Sequence, residues 1–269
     1  MYPILFKLGP LAVHSYGLLL VIAFLTAIWL AARAARRLAP ERLAMNAEQL
    51  VDFTCLSLMG GILGARFLYV VLQWDFFVRA PQELIAIWHG GLVWYGGFAG
   101  GLLAGWLYVR AAHLQFLRVL DQFIPFLALG HAIGRLGCFL NGCCYGKPTT
   151  SWCGVVFPGH TEAVVPTQLI EAAGLIFLYG LLRTLQPALS RRSGRLFGLY
   201  LVSYALLRLV IEHFRGDQAV FWAGLTLQQL ISLIVFLAGA YLVFRVSSSE
   251  FRVGALHSTP GARHSKPRT

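Results

Sequence analysis

The sequence predicts an all-α membrane protein of about seven transmembrane helices, and three observations carry that prediction. Of 269 residues, 58% are hydrophobic and 12% are charged, about half the ~25% charged usage of soluble domains. Apolar runs of about twenty residues, the length that crosses a hydrocarbon core, alternate with short links along nearly the whole chain. The links are rich in arginine on one side of the implied membrane and poor in it on the other, the asymmetry of a multi-pass protein.

Taken in order, the first span covers roughly 12–31. It follows MYPILFKLGPLAV, whose single Lys7, early Pro3 and lack of a small-residue cleavage pair argue against a cleavable signal peptide. The second span, 49–73, carries Gly60, Gly64 and Arg66. The third, 92–109, carries Gly97, Gly101 and Gly105. Small residues at these spacings let helix backbones approach closely, so packing is their expected role. The fourth span, 119–140, holds Arg135 and ends at Asn141-Gly142, a turn signal. The fifth, 167–186, opens on Pro166, ordinary at a helix start, and places Gln168 and Glu171 at membrane depth. The sixth, 196–213, carries Tyr204, Arg208 and Glu212, and the seventh covers 227–245. Residues 247–269 are polar and predict a disordered cytoplasmic tail behind one membrane domain, 1–246.

Basic residues set the orientation. One group of links holds Arg33, Arg36, Arg37, Arg42, Arg110, Arg118, Arg183, Arg191, Arg192 and Arg195, whereas the other holds Lys7, Arg79, Lys147 and Arg215. Positive-inside bias puts the amino terminus outside and the carboxyl terminus in the cytoplasm. The net charge of +11 therefore reflects attraction to anionic lipid, and no nucleic-acid partner is expected.

Arg66, Arg135 and Arg208 lie inside apolar spans. A charge at membrane depth costs at least ~2.5–3.5 kcal/mol, so it faces a polar cavity and marks a working site. Several guanidiniums in such a place suit an anionic group, most naturally a lipid phosphate. Gly134 and Gly137 flank Arg135 with small residues that allow a helix break, and backbone N–H groups freed by such a break would help bind an anion. The competing reading of Arg135 is an ion pair with Glu171 or Glu212 that ties helices together. Tyr204, Arg208 and Glu212 recur every four residues and share one helical face. Read for function, Arg208 clamps a phosphate, Glu212 orients it and Tyr204 donates a hydrogen bond; read for structure, they form an internal salt bridge.

A third group, His14-Ser15-Tyr16-Gly17 with Trp88, His89, Trp94 and Tyr95, falls near the predicted outer interface. Trp and Tyr there serve as headgroup-level anchors, and His89 is either solvated or a titrating base. Cysteine usage is unusual. Cys55 reads as a small core residue of the second span, while Cys138, Cys143, Cys144 and Cys153 cluster in sequence. Cys153 with Cys143 or Cys144 would staple the loop between them in an oxidising compartment. Adjacent Cys143-Cys144 suits tetrahedral zinc poorly, so no metal and no cofactor is expected.

Together these segments resemble the prolipoprotein diacylglyceryl transferase family over roughly residues 9–235. HSYG at 14–17 is similar to that family's H-x-Y-G, GARFLYV at 64–70 to G-x-R-x-x-Y, and WHGGLVWYGG at 88–97 to W-x-GG-x-x-x-x-GG. GRLGCFLNGCCYG at 134–146 resembles the run G-R-x-G-N-F-x-N-x-E-x-x-G. PTQLIE at 166–171, YALLRLVIEHFR at 204–215, Gln229 and Ser232 complete the series.

The resemblance implies a bacterial inner-membrane enzyme that moves diacylglyceryl from phosphatidylglycerol to the lipobox cysteine thiol of a prolipoprotein. Glycerol phosphate leaves. By position, Arg135, Gly134 and Gly146 would hold the headgroup with Arg66, and Arg208 would join Arg135 on the phosphate. Tyr16 and Tyr204 would line the site, with Asn141 and Glu212 as polar supports. Displacing a glycerol phosphate needs its charge stabilised in a dry cavity, and the acceptor thiol needs a base.

Three positions depart from the pattern: Cys138 stands for Asn, Cys143 for Glu, and Tyr95 for the His that many members carry. With the His absent, Tyr95 becomes the base candidate, and a tyrosine of reference pKa ~10 needs help from Arg135 or Arg208. The thiols also keep an alternative open, an outer-face thiol-redox or thiol-modifying enzyme on the same fold. A lipid or anion transporter is the third reading, against which stands the lack of repeat-related halves.

Overall fold

The computed structural model describes residues 4–8, 11–37, 43–86, 90–158, 161–189, 192–215, 220–222 and 224–257. Long apolar runs become helices here because a helix satisfies its own backbone polar groups where no water can. The helices are α1 (Ser15–Ala35), α2 (Ala47–Leu72), the short α3 (Trp74–Arg79), α4 (Trp94–Ala111), α5 (Phe116–Asn141), α6 (Thr167–Leu189), α7 (Arg195–Phe214) and α8 (Leu227–His257).

Six of them, α1, α2, α5, α6, α7 and α8, are long and apolar enough to cross a membrane. The expected third span is the helix α4, but glycines at 96, 97, 100, 101 and 105 dilute its apolar character, and it falls outside that six. Large side chains such as Leu63, Phe67, Phe98, Phe177 and Phe244 point outward, the inverse of a soluble surface and the mark of a multi-pass membrane protein.

The ends differ from expectation in two places. Residues 12–14, assigned to the first span, lie in a strand, β2 (Leu11–His14), paired antiparallel with β1 (Ile4–Leu8). Helix therefore begins at Ser15. At the other end α8 continues to His257, so helical backbone reaches past the boundary expected at 246. A second small ladder, β3 (Val220–Trp222) with β4 (Leu225–Thr226), turns at Gly224 (φ 80°) and leads into α8.

α5 organises the bundle. It packs on α1 and α6, and its residues enter both apolar cores. Val119 and Phe126 join Leu50, Phe53 and Val109 in one core. Ile124 and Ala128 join Leu178, Leu182, Leu196 and Tyr200 in the other. Two buried polar residues near its start fix neighbouring links. Gln122 accepts from Ala44 N and Met45 N (both 2.9 Å) and donates to Met45 O (2.8 Å). Asp121 accepts from Gly194 N (2.5 Å) and Phe197 N (2.7 Å), supplying the first turn of α7 with the carboxylate that free helix N–H groups favour.

Glycine packing is seen at Gly60 and Gly64 as expected, against Gly96 and Gly100, whereas Gly97 makes only ordinary contacts at 3.5 Å. Along α2 and α4, a Cβ built on Gly64 would lie 2.4 Å from Gly96 O, and one on Gly100 would lie 2.3 Å from Gly60 O. No residue larger than glycine fits there without moving a helix. Cys55, expected in the core, is instead exposed on α2.

Candidate active site

One end of the bundle gathers the amino ends of α1, α6 and α8 and the carboxyl ends of α5 and α7. Gly142 (φ 75°) closes α5, and the following loop is folded back by Gly146 N to Val165 O (2.8 Å), Lys147 N to Phe214 O (2.8 Å) and Val155 N to Val164 O (3.0 Å). One to two turns inside that end lies a buried charge cluster.

Glu171, on α6 and 1% exposed, is its hub. Its Oε1 receives Arg135 Nη2 at 2.9 Å and the Tyr204 hydroxyl at 3.2 Å, and its Oε2 lies 3.7 Å from Arg208 Nη1. Arg208 Nη2 reaches Glu212 at 3.2 Å, one turn along α7, and Glu212 in turn accepts from Thr226 Oγ1 at 2.9 Å. His131 Nε2 stands 3.9 Å from Glu171, and its ring lies against Tyr204 (centroids 5.3 Å). Tyr204 stacks on Tyr200 at 5.8 Å. Three helices thus contribute two guanidiniums, two carboxylates, an imidazole and a phenol to one patch.

The patch is incompletely satisfied. Arg135 Nε, Arg208 Nη1 and Gln168 Oε1 are buried with no hydrogen-bond partner among the described residues. An unmade hydrogen bond on a buried charged group is expensive, and a donor left over on each of two arginines of one cluster suits a polar ligand.

The sequence matches the family described as prolipoprotein diacylglyceryl transferase over residues 3–245. The chain belongs to that family. A Legionella pneumophila relative, named phosphatidylglycerol–prolipoprotein diacylglyceryl transferase, is 37% identical over 248 residues, covering 89% of this chain and 95% of its own. Relatives of the same name from Clostridium tetani (31% over 247 residues, 90% and 96%) and Bacillus licheniformis (32% over 253 residues, 90% and 91%) match equally long stretches.

The family's motif positions separate into two groups in three dimensions. Arg135, Arg208, Tyr204 and Glu212 meet in the charge cluster. Tyr16, 40% exposed in the first turn of α1, packs where a Cβ on Gly137 would meet its ring at 3.3 Å. Asn141 ends α5 and is exposed, and Gly134 lies on the same helix with only Leu20 nearby, at 3.7 Å from a built Cβ. Gly146 is required by packing, since its Cβ would lie 2.6 Å from Phe214 O.

Arg66 belongs elsewhere. Its guanidinium donates to Leu84 O (3.0 Å), Gly90 O (2.7 Å), Gly91 O (3.2 Å), Ala86 O (3.4 Å) and Glu83 O, and it lies over Tyr69 and Phe77. Five carbonyls from the 83–91 link consume the donors expected to bind a headgroup, so Arg66 holds that link. Tyr95 is 60% exposed at the start of α4 and contacts Trp94, and no described polar contact joins it to the cluster. Trp88 and His89 lie outside the described residues.

The cysteines also depart from expectation. All five are free. Cys153, whose pairing with Cys143 or Cys144 would staple the loop, is exposed beside Ser151 Oγ (3.3 Å). The sulfurs of Cys138, Cys143 and Cys144 all lie within 4.8 Å of one another. His131 carries no motif signal in the sequence reading, although its spacing of four from Arg135 puts both on one face of α5.

Proposed function

We propose that this chain transfers the diacylglyceryl group of phosphatidylglycerol to the lipobox cysteine thiol of a prolipoprotein, releasing glycerol phosphate. The observation that carries the reading is the pair of arginines, Arg208 buried and Arg135 half-buried, that share Glu171 and keep nitrogens without a hydrogen bond inside membrane helices. In the reaction Arg135 and Arg208 receive the lipid phosphate and then the extra negative charge of the departing glycerol phosphate. Low dielectric and fixed donors make two guanidiniums most effective there. Glu171 and Glu212 hold the guanidiniums apart and aimed, Tyr204 donates a hydrogen bond beside them, and Tyr16 and Asn141 border the site at the bundle end. Gly134 leaves room beside Arg135 for the headgroup.

The same reading takes α4 as a seventh span, with the amino terminus outside and the carboxyl terminus cytoplasmic. That orientation puts the charge cluster near the outer leaflet of the bacterial inner membrane, where secreted precursors arrive. Residues 1–246 form the membrane domain and 247–269 its cytoplasmic extension.

Purified protein with phosphatidylglycerol and a lipobox peptide is expected to release glycerol phosphate and yield a thioether-linked peptide. Arg135→Ala is expected to lower the rate by about 100-fold or more, the usual effect of removing a transition-state charge donor. Full activity in that variant would overturn the site.

A further inference from the structure

Cys138 stands one turn along α5 from Arg135, Cys143 and Cys144 lie beside it, and the charge cluster makes no use of the three. Cys138 lies in the last turn of α5. Past the left-handed Gly142, Cys143 N returns to Cys138 O (3.1 Å). Cys144 itself takes a left-handed φ of 66°, which turns two adjacent side chains toward the same point. This is the geometry that adjacency in sequence argued against. The Cys143 and Cys144 sulfurs are 3.8 Å apart, and every pair in the trio is within 4.8 Å.

Three thiolates on one ion at the usual ~2.3 Å bond have sulfur–sulfur edges of ~3.8–4.0 Å, so the trio needs only sub-ångström adjustment to close on an ion. Its backbone is already held. Gln168 Nε2 donates to Cys143 O at 2.6 Å and Thr167 Oγ1 to Cys144 O at 2.7 Å, both from the first turn of α6. Outer contacts of this kind orient ligands before a metal arrives. Soft sulfur donors select zinc or a similarly thiophilic ion. Among the described residues no fourth ligand completes the set, and three protein ligands with an open position is the arrangement of a working zinc site.

We propose that Cys138, Cys143 and Cys144 bind a zinc-class ion whose open position takes the acceptor thiol as a thiolate. The role rests on the transferase reading above; the metal site stands on the thiol geometry alone. Coordination removes the thiol proton to water, which supplies the task left without a histidine by Tyr95. The bound sulfur then attacks the glyceryl carbon that bears the phosphate ester. A C–S bond forms as the C–O bond breaks, and the electron pair leaves on the glycerol phosphate oxygen, beside Arg135 and Arg208. No electron is gained or lost overall, and the released proton ends on buffer or on the phosphate monoester.

The test uses reduced, detergent-purified full chain and cobalt(II) as a spectroscopic stand-in for zinc. One cobalt per chain is expected, with a thiolate-to-metal charge-transfer band. Cys138→Asn and Cys143→Ala, checked for fold by circular dichroism and gel filtration, are each expected to weaken cobalt binding by at least ~100-fold, more than loss of an outer contact does. A lipobox peptide should shift the band, and its serine analogue should not. An unchanged band in both cysteine variants, or a stable disulfide within the trio in freshly isolated protein, would overturn the site. Glycerol phosphate release at full rate from metal-free protein would overturn the thiol role and leave the transferase reading standing. A peptide-shifted band without release under any metal condition would uphold the thiol-binding ion and sink the transferase reading instead.

Discussion

Glu171→Leu is the most informative single change in this chain, because one buried carboxylate balances charges on two other helices. With His131 neutral, Arg135, Arg208, Glu171 and Glu212 sum to zero formal charge. At an effective dielectric of 20, separations of 2.9 and 3.7 Å correspond to gross attractions of ~6 and ~4 kcal/mol. Desolvation offsets most of that, and removing one partner of a buried pair typically costs about 3–5 kcal/mol. Glu171→Leu leaves the cluster at +1, and Arg135→Leu leaves it at −1. The double variant returns it to zero with the Arg208–Glu212 pair (3.2 Å) intact.

Reversible unfolding in mixed micelles should therefore show each single change costing about 3–5 kcal/mol. The double change should cost less than the sum by about 2–3 kcal/mol. Additivity within ~0.5 kcal/mol would refute the shared-carboxylate argument. Both guanidiniums would then draw their compensation from something other than Glu171.

Three further outcomes are expected. Arg208→Lys loses the fork that reaches Glu171 and Glu212 at once, and transfer should fall about 100-fold in a protein that still folds, measured by glycerol phosphate release. Gly64→Leu must push α2 from α4, costing about 1–3 kcal/mol or more in micelle unfolding, while Gly17→Ala, with open space around it, should be tolerated. Asp121→Ala should cost about 1–2 kcal/mol and speed amide exchange at Gly194 and Phe197, the two N–H groups it holds.

The helices were legible because each apolar run solves its backbone problem without help from any other. Expected bounds of 49–73, 119–140 and 196–213 fall within a few residues of α2, α5 and α7. The first span slipped because residues 12–14 have a local alternative in β1, and a two-strand ladder has no periodicity that a hydropathy pattern can separate from a helix start. The arginine pair was legible from cost alone, since charge in an apolar run demands a reason. What decides Arg66 was not: its partners are main-chain carbonyls, which every residue carries and no motif records. Glu171 was visible as a possible partner, but its service to Arg135, Arg208 and Tyr204 together depends on how α5, α6 and α7 dock. Convergence of the thiols hangs on one backbone angle at Cys144, which residue types do not reveal.

The glycine contacts between α2 and α4 also constrain how a lipid can move. Where Gly64 meets Gly96 and Gly60 meets Gly100, the seam is backbone against backbone, and Gly198 and Gly239 close α7 on α8 the same way, each built Cβ within 2.9 Å of the other's carbonyl. A seam lined by side chains can part by rotamer changes in a few residues, but a backbone seam opens only if a whole helix translates. Two walls of the bundle are therefore shut to a two-tailed molecule travelling in the bilayer plane.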